Sequence, residues 1–278
     1  MWRRILATAP ARLAIELAAL IAVELLVALA LKPLPAAMRP AAGVLVGVPA
    51  LVAAYGLLVR TLERRPVTEL APGGALRELG VGLLLGAALF SLTIGVIALA
   101  GGYVVTEVGS PLALVPPLTM AVASGVTEEI LARGVVFRLL EEWLGTWMAL
   151  AISAALFGLA HVANPHATPA SAAAIAAEAG VLLATAYMLT RRLWLAIGLH
   201  AAWNWTQGAV FGVAVSGVQI RGWLHGELRG PDWLSGGAFG AEASLVAVAV
   251  GCGAAVVLLV RSIRTHGIKR FRLRGGPP

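Results

Sequence analysis

Charge is scarce in this sequence. Only 13% of its 278 residues are charged against 59% hydrophobic, and the mean hydropathy is +0.88. Soluble domains carry about 25% charged residues, so the scarcity argues against a soluble domain and for a polytopic membrane protein. Cysteine is nearly absent. Cys252 stands alone in an apolar run, which excludes a disulfide framework and nearly excludes thiolate metal sites. No internal repeat is evident, and the His-Glu-x-x-His spacing of many zinc proteases is missing. A net charge of +7 raises the question of nucleic acid. The basic residues flank apolar segments, however, and no nucleic-acid partner is expected.

What the chain has instead is apolar length. Eight segments approach or exceed the ~20 apolar residues that a helix needs to span a bilayer: roughly 13–31, 40–59, 80–101, 112–137, 147–164, 170–190, 193–215 and 242–260. Runs of this length mean helices, because a lone segment in lipid must satisfy its own backbone. The expected fold is all-α, a single integral-membrane domain over 1–278. Arg3 and Arg4 resemble the basic start of a signal peptide. The apolar run behind them is too long for one and contains Glu16 and Glu24, so it reads as a retained helix. With the N-terminus in the cytoplasm, the far side holds Lys32, Arg39, Arg221 and Arg229, and Arg133 lies near or in the membrane. The remaining 16 of the 21 basic residues are then cytoplasmic, including those of the tail 261–278. That asymmetry favours both termini inside, with the tail touching anionic membrane lipid. The longest loop, about 216–241, reads as interfacial, with Trp223 and Trp233 at headgroup level.

Ionisable groups inside a membrane are rare and usually functional. Three spacings stand out. In Glu128-Glu129-x-x-x-Arg133, residues 129 and 133 are four apart on a helix and suit an ion pair in the favourable order. Glu128 is turned about 100° away and has no partner on its own helix, which suits a general base. Phe157-x-x-x-His161 puts an aromatic ring and an imidazole on one face. His161 could move a proton or bind a metal. His200-x-x-x-Asn204 could together donate to a developing oxyanion. Each spacing also has a purely structural reading: a buried ionic network, a histidine bonded to a carbonyl, an interhelical hydrogen bond. Glu16 reads as interfacial. Glu24, Glu178 and Glu242 read as interhelical contacts or cavity lining. One tension remains: with a loop over 138–146, Glu128 and His161 fall at different depths.

The three motifs, in this order and on successive apolar segments, resemble the signature of the CPBP family: CAAX prenyl endoproteases and bacteriocin-processing and Abi-type membrane proteins. The resemblance covers 128–204, about a quarter of the chain. It departs at Ala132, where many relatives carry an aromatic residue before the arginine. It implies an eight-helix intramembrane endopeptidase acting on a peptide or membrane protein. Glu128 and His161 would activate water, and His200 and Asn204 would stabilise the oxyanion, with Glu129, Arg133 and Phe157 in support. The family is commonly labelled metalloprotease, and Glu128, His161 and His200 could hold zinc. A Glu–His pair can also activate water without metal, and the balance tilts that way. A non-catalytic membrane scaffold or immunity protein is the alternative. A transporter fits less well, because it calls for repeat symmetry. The Ala-, Gly- and Arg-rich composition suggests a bacterial cytoplasmic membrane. Substrate identity and oligomeric state are not fixed by the sequence.

Overall fold

The computed structural model describes residues 8–270. Arg3 and Arg4, and Arg272 and Arg274 of the basic tail, lie outside the described residues. Six helices among the described residues are long and apolar enough to cross a membrane: α1 Ala9–Leu31, α2 Ala36–Glu63, α3 Ala75–Leu99, α5 Thr146–Ala163, α6 Pro169–Thr190 and α8 Leu245–His266. Between them run α4, continuous over 117–144, and α7, Trp194–Trp205 extended by a wide turn Thr206–Val210. α4 falls short of the other six because Glu128, Glu129 and Arg133 interrupt its apolar run, and α7 because it is short. The protein is an all-α polytopic membrane protein.

A small sheet completes the fold, where the sequence suggested only loop. β1, Tyr103–Val108, pairs antiparallel with β2, Leu224–Leu228, in the register Tyr103↔Leu228. The segment expected as an interfacial loop, 216–241, thus contributes a strand and is tied down. Trp223 N donates to Ala209 O, and Tyr103 Oη donates to Phe211 O.

The most extensive helix contact is between α3 and α7. Its cause is local: Gly82, Gly86 and Gly198 have no side chain. A Cβ at Gly82 would strike Leu195 O, one at Gly86 would strike Leu199 O, and one at Gly198 would strike Leu79 O. Small residues four apart let helix backbones approach closely, and in lipid such van der Waals packing is a main driving force. The close approach fixes α7, and with it His200 and Asn204. Gly125 does the same from α4, where an added Cβ would lie 2.9 Å from the Ala201 methyl.

The expected depth mismatch disappears once α4 is seen whole. The fourth segment starts at Pro117, not 112, and continues to Leu144. The loop expected over 138–146 is a single tight turn at Gly145, with φ 80°. Glu128 stands 17 residues before Gly145 and His161 stands 16 after it. At 1.5 Å per residue both lie about 25 Å from the turn. They therefore face each other at one level. Glu16 is also placed differently from expectation: it is fully buried, with Oε2 3.4 Å from Arg138 Nη2. Arg138 also bonds Glu63, so the carboxylate serves a buried charge network and not the interface.

Both described ends of the chain emerge at the Gly145 end of the bundle. Arg12 bonds Glu142, and Lys269 Nζ lies 2.9 Å from Glu141 Oε2. Glu141 also accepts from Arg191 Nη1 at 2.6 Å and from Thr146 Oγ1 at 2.9 Å. Burial opposes the charge on Glu141. Hydrogen bonds from Arg191 and Lys269 outweigh burial and hold its carboxyl below the ordinary 4.5.

Two outcomes test this packing. Gly86→Val is expected to destabilise the protein by about 1–3 kcal/mol through overpacking, read as a lower unfolding midpoint in detergent. For Glu141, a lowered folded value means that its contribution is complete above the ordinary carboxyl range and is lost as pH falls through the folded value. Protection from hydrogen exchange at 266–270, taken relative to the intrinsic rate at each pH, is therefore expected to be high at pH 7 and to fall as pH drops below the ordinary carboxyl range. Glu141→Gln should show the low protection already at pH 7.

Candidate active site

Glu128 and Glu129 close the first part of α4, just before its backbone widens into a π-helical stretch, Ile130–Phe137. Wide turns of this kind recur at functional sites. The two carboxylates part company here. Glu129 is fully buried and accepts from Arg133 Nη1 at 2.9 Å, as the spacing predicts. It also accepts from His200 Nδ1 at 2.9 Å, a bond across to α7 that the spacing does not reveal. Glu128 is turned toward two imidazoles. Its Oε2 lies 3.9 Å from His161 Nε2 and 3.9 Å from His200 Nε2, with no hydrogen-bond partner among the described residues.

The ring nitrogens can be assigned from their neighbours. Phe157 O can only accept, so Nδ1 of His161, 2.7 Å away, carries the hydrogen. Glu129 accepts from Nδ1 of His200 in the same way. In the neutral rings both Nε2 atoms are then lone-pair acceptors. Two lone pairs and a carboxylate oxygen face one another with no donor between them. The gap between them suits a small donor such as water.

The supporting residues lock this arrangement. The Arg133 guanidinium lies 4.4 Å over the Phe157 ring, and its Nη2 donates to Ala179 O and Gly180 O, both at 3.0 Å. Those carbonyls belong to a second wide turn, Ala176–Gly180 within α6. Phe157 in turn packs against His161 at 4.9 Å and edge-on to His200 at 6.2 Å. Asn204 stands one turn beyond His200. Its Nδ2 donates one hydrogen to Ser124 Oγ at 3.0 Å and keeps a second. Ser124 was not singled out in the sequence. Its place four residues before Glu128, hence on the same face of α4, is the signal that could have found it.

All seven residues of the three motifs are thus brought to one place. Two spaces flank it. A groove of about 420 Å³ runs between α1, α4 and α5, walled by Leu17, Ile21, Leu131, Val136 and Leu156, and ends at Glu128 and His161. On the other side a cavity with about 30 Å³ of room for water touches His161, His200, Asn204, Glu178 and Glu242. Zinc needs its ligand atoms at 2.0–2.2 Å. Among the described residues no group of three or more His, Cys, Asp or Glu converges closely enough to hold a metal ion. As arranged, Glu128, His161 and His200 do not make a zinc site.

Arg133 supplies a test. Arg133→Met strands Glu129 without its main cation and removes the bonds to Ala179 and Gly180. Breaking a buried pair from one side costs about 3–5 kcal/mol, so the expected result is loss of folded protein. Arg133→Lys keeps the charge but not the planar fork or the stack on Phe157, and an intermediate stability is expected from unfolding curves.

No curated protein and no solved structure matches the chain. Residues 109–206 match the model of the type II CAAX prenyl endopeptidases, Rce1-like. The match begins just before α4 and ends just after Asn204, so it contains all three motifs and the whole convergence described above. The chain is an integral membrane protein whose residues 109–206 match the Rce1-like type II CAAX prenyl endopeptidases, a family of peptidases.

Proposed function

We propose that the chain is an intramembrane endopeptidase in which Glu128 and His161 activate a water and His200 and Asn204 stabilise the tetrahedral oxyanion. The observation that carries this reading is the approach of Glu128 Oε2 to both Nε2 atoms at 3.9 Å. A water between them donates to the carboxylate and is oriented by His161. Glu128 takes its proton as the oxygen attacks the scissile carbon. His200, held by Glu129 at Nδ1, presents Nε2 to the new oxyanion and donates in its protonated form. Asn204 adds its second amide hydrogen. Preorganised donors of this kind act strongly in a dry site.

The apolar groove supports a substrate that is itself membrane-embedded, a hydrophobic peptide or a membrane-protein segment laid between α1, α4 and α5. The distribution of basic residues supports a cytoplasmic position for the Gly145 end, where Arg12, Arg138, Arg191 and Lys269 gather. The composition supports a bacterial cytoplasmic membrane.

Glu128→Ala and His161→Ala are each expected to lower cleavage by about 10²–10⁴-fold, the usual contribution of a general base, with insertion and unfolding midpoint kept. Comparison of membrane-proteome termini from cells with wild-type and Glu128→Ala protein reads the effect on natural substrates. Wild-type levels of cleavage by folded Glu128→Ala protein would remove Glu128 from the mechanism.

A further inference from the structure

The mechanism above uses Glu128 and leaves two other buried carboxyls at the same site without a task. Glu178 sits on the wide turn Ala176–Gly180 of α6, and Glu242 on the short turn Ala241–Ala243 that leads into α8. Both are 2% exposed. Both line the water-sized cavity beneath His161, His200 and Asn204. They repel each other across it.

Their surroundings differ. Glu242 Oε1 accepts from the backbone N–H of Ser216, and Gln207 and His200 also face it. Glu178 has no such anchor. Its Oε2 has no hydrogen-bond partner among the described residues and lies against Gly251 of α8, where an added Cβ would come within 3.1 Å of it. Arg133 is the nearest cation. The hydrogen bonds of its two terminal nitrogens go to Glu129, Ala179 and Gly180. From α8 Cys252 faces Glu178, and its thiol points to Ala177 O. From α5 and α7 come His161 and His200. A buried carboxyl without a donor is stable in its neutral form, and two carboxyls that repel across one cavity do not both ionise. The backbone N–H on Glu242 favours charge there, and the unpartnered Glu178 Oε2 favours keeping the proton on Glu178.

We propose that Glu178 is the proton source for the departing amine, acting through water held in the cavity that joins it to His200 and Asn204. The cavity's 30 Å³ of room exceeds the ~10–15 Å³ that one water needs, and it is too small for a substrate side chain. The atoms balance. The attacking water forms the C–O bond and gives one proton to Glu128. The Glu178 proton passes through the cavity water to the scissile nitrogen as the C–N bond breaks. The proton on Glu128 then returns to Glu178 by way of His161, which lines both the groove and the cavity, and the cavity water. An amide nitrogen must be protonated to leave, whereas the alkoxide of an activated ester need not be. Glu178 therefore matters for amides and not for esters. It is a residue that acts through water and does not touch the substrate.

This inference rests on the peptidase mechanism proposed above, and the test separates the two. The full chain, purified and reconstituted in liposomes, is assayed with a fluorogenic hydrophobic peptide amide and with the activated ester of the same acyl group. For Glu178→Gln we expect amide cleavage to fall at least 10²-fold, in the range of acid catalysis, with ester cleavage within about threefold of wild type. Glu178→Asp, which keeps an ionisable carboxyl at the cavity, should recover a measurable part of the amide rate. Equal loss on both substrates, in Glu178→Gln and Glu178→Asp alike, would mean a structural role and overturn the inference, as would no loss on either. Wild-type protein that cleaves neither probe overturns the mechanism and this inference with it.

Discussion

A single guanidinium holds the site together. Arg133 is almost fully buried in a protein whose surroundings are apolar, and that is tolerable only because its polar and π faces are used. It neutralises Glu129, caps the carbonyls of Ala179 and Gly180, and stacks on Phe157. Each contact belongs to a different helix: α4 itself, α6 and α5. Through Glu129 the same network reaches His200 on α7. Removing the cation would leave a carboxylate without its cation, two unused carbonyl acceptors and a loosened aromatic ring at the centre of four helices.

The division of labour among the acids follows from that anchor. Glu129 is consumed by Arg133 and His200, so it sets the orientation of an imidazole. Glu128, one residue earlier, points past this network into the gap between two Nε2 atoms. The apolar groove meets it from the side of α1, α4 and α5, and the small polar cavity lies on the far side of the imidazoles. A site of this form has one entrance suited to an apolar segment and one reservoir suited to water. The family match at 109–206 covers the elements that build the centre. The groove wall on α1, with Leu17 and Ile21, and the cavity wall at Glu242 come from outside it.

Much of this was legible without coordinates, and particular residues show why. The i,i+4 pairing of Glu129 with Arg133 is a property of one helix and was read from spacing alone. The grouping of Phe157 with His161 and of His200 with Asn204 is equally local. What spacing hid was the meeting of helices. A long loop over 138–146 put Glu128 and His161 at different depths, because a charged stretch with Arg138, Glu141 and Glu142 resembles a membrane boundary. The helix in fact runs on to Leu144, since Glu16, Glu63, Arg191 and Lys269 neutralise those charges from other elements. Glu16 was misjudged for the same reason.

The sequence by itself determined that this is a helical membrane protein, roughly where its segments lie, and which residues share a face of one helix: Glu129 with Arg133, Phe157 with His161, and His200 with Asn204. Those conclusions rest on length, hydropathy and helical period, which are local quantities. Only the tertiary structure decided that Glu129 serves His200 as well as Arg133, that Ser124 holds Asn204, and that Glu178 and Glu242 share a cavity with the imidazoles. The bare faces of Gly82, Gly86 and Gly198 bring α3 and α7 into contact, and Gly125 seats α4 beside Ala201. The distance between two helices is fixed by both partners at once, so no single stretch of chain records it.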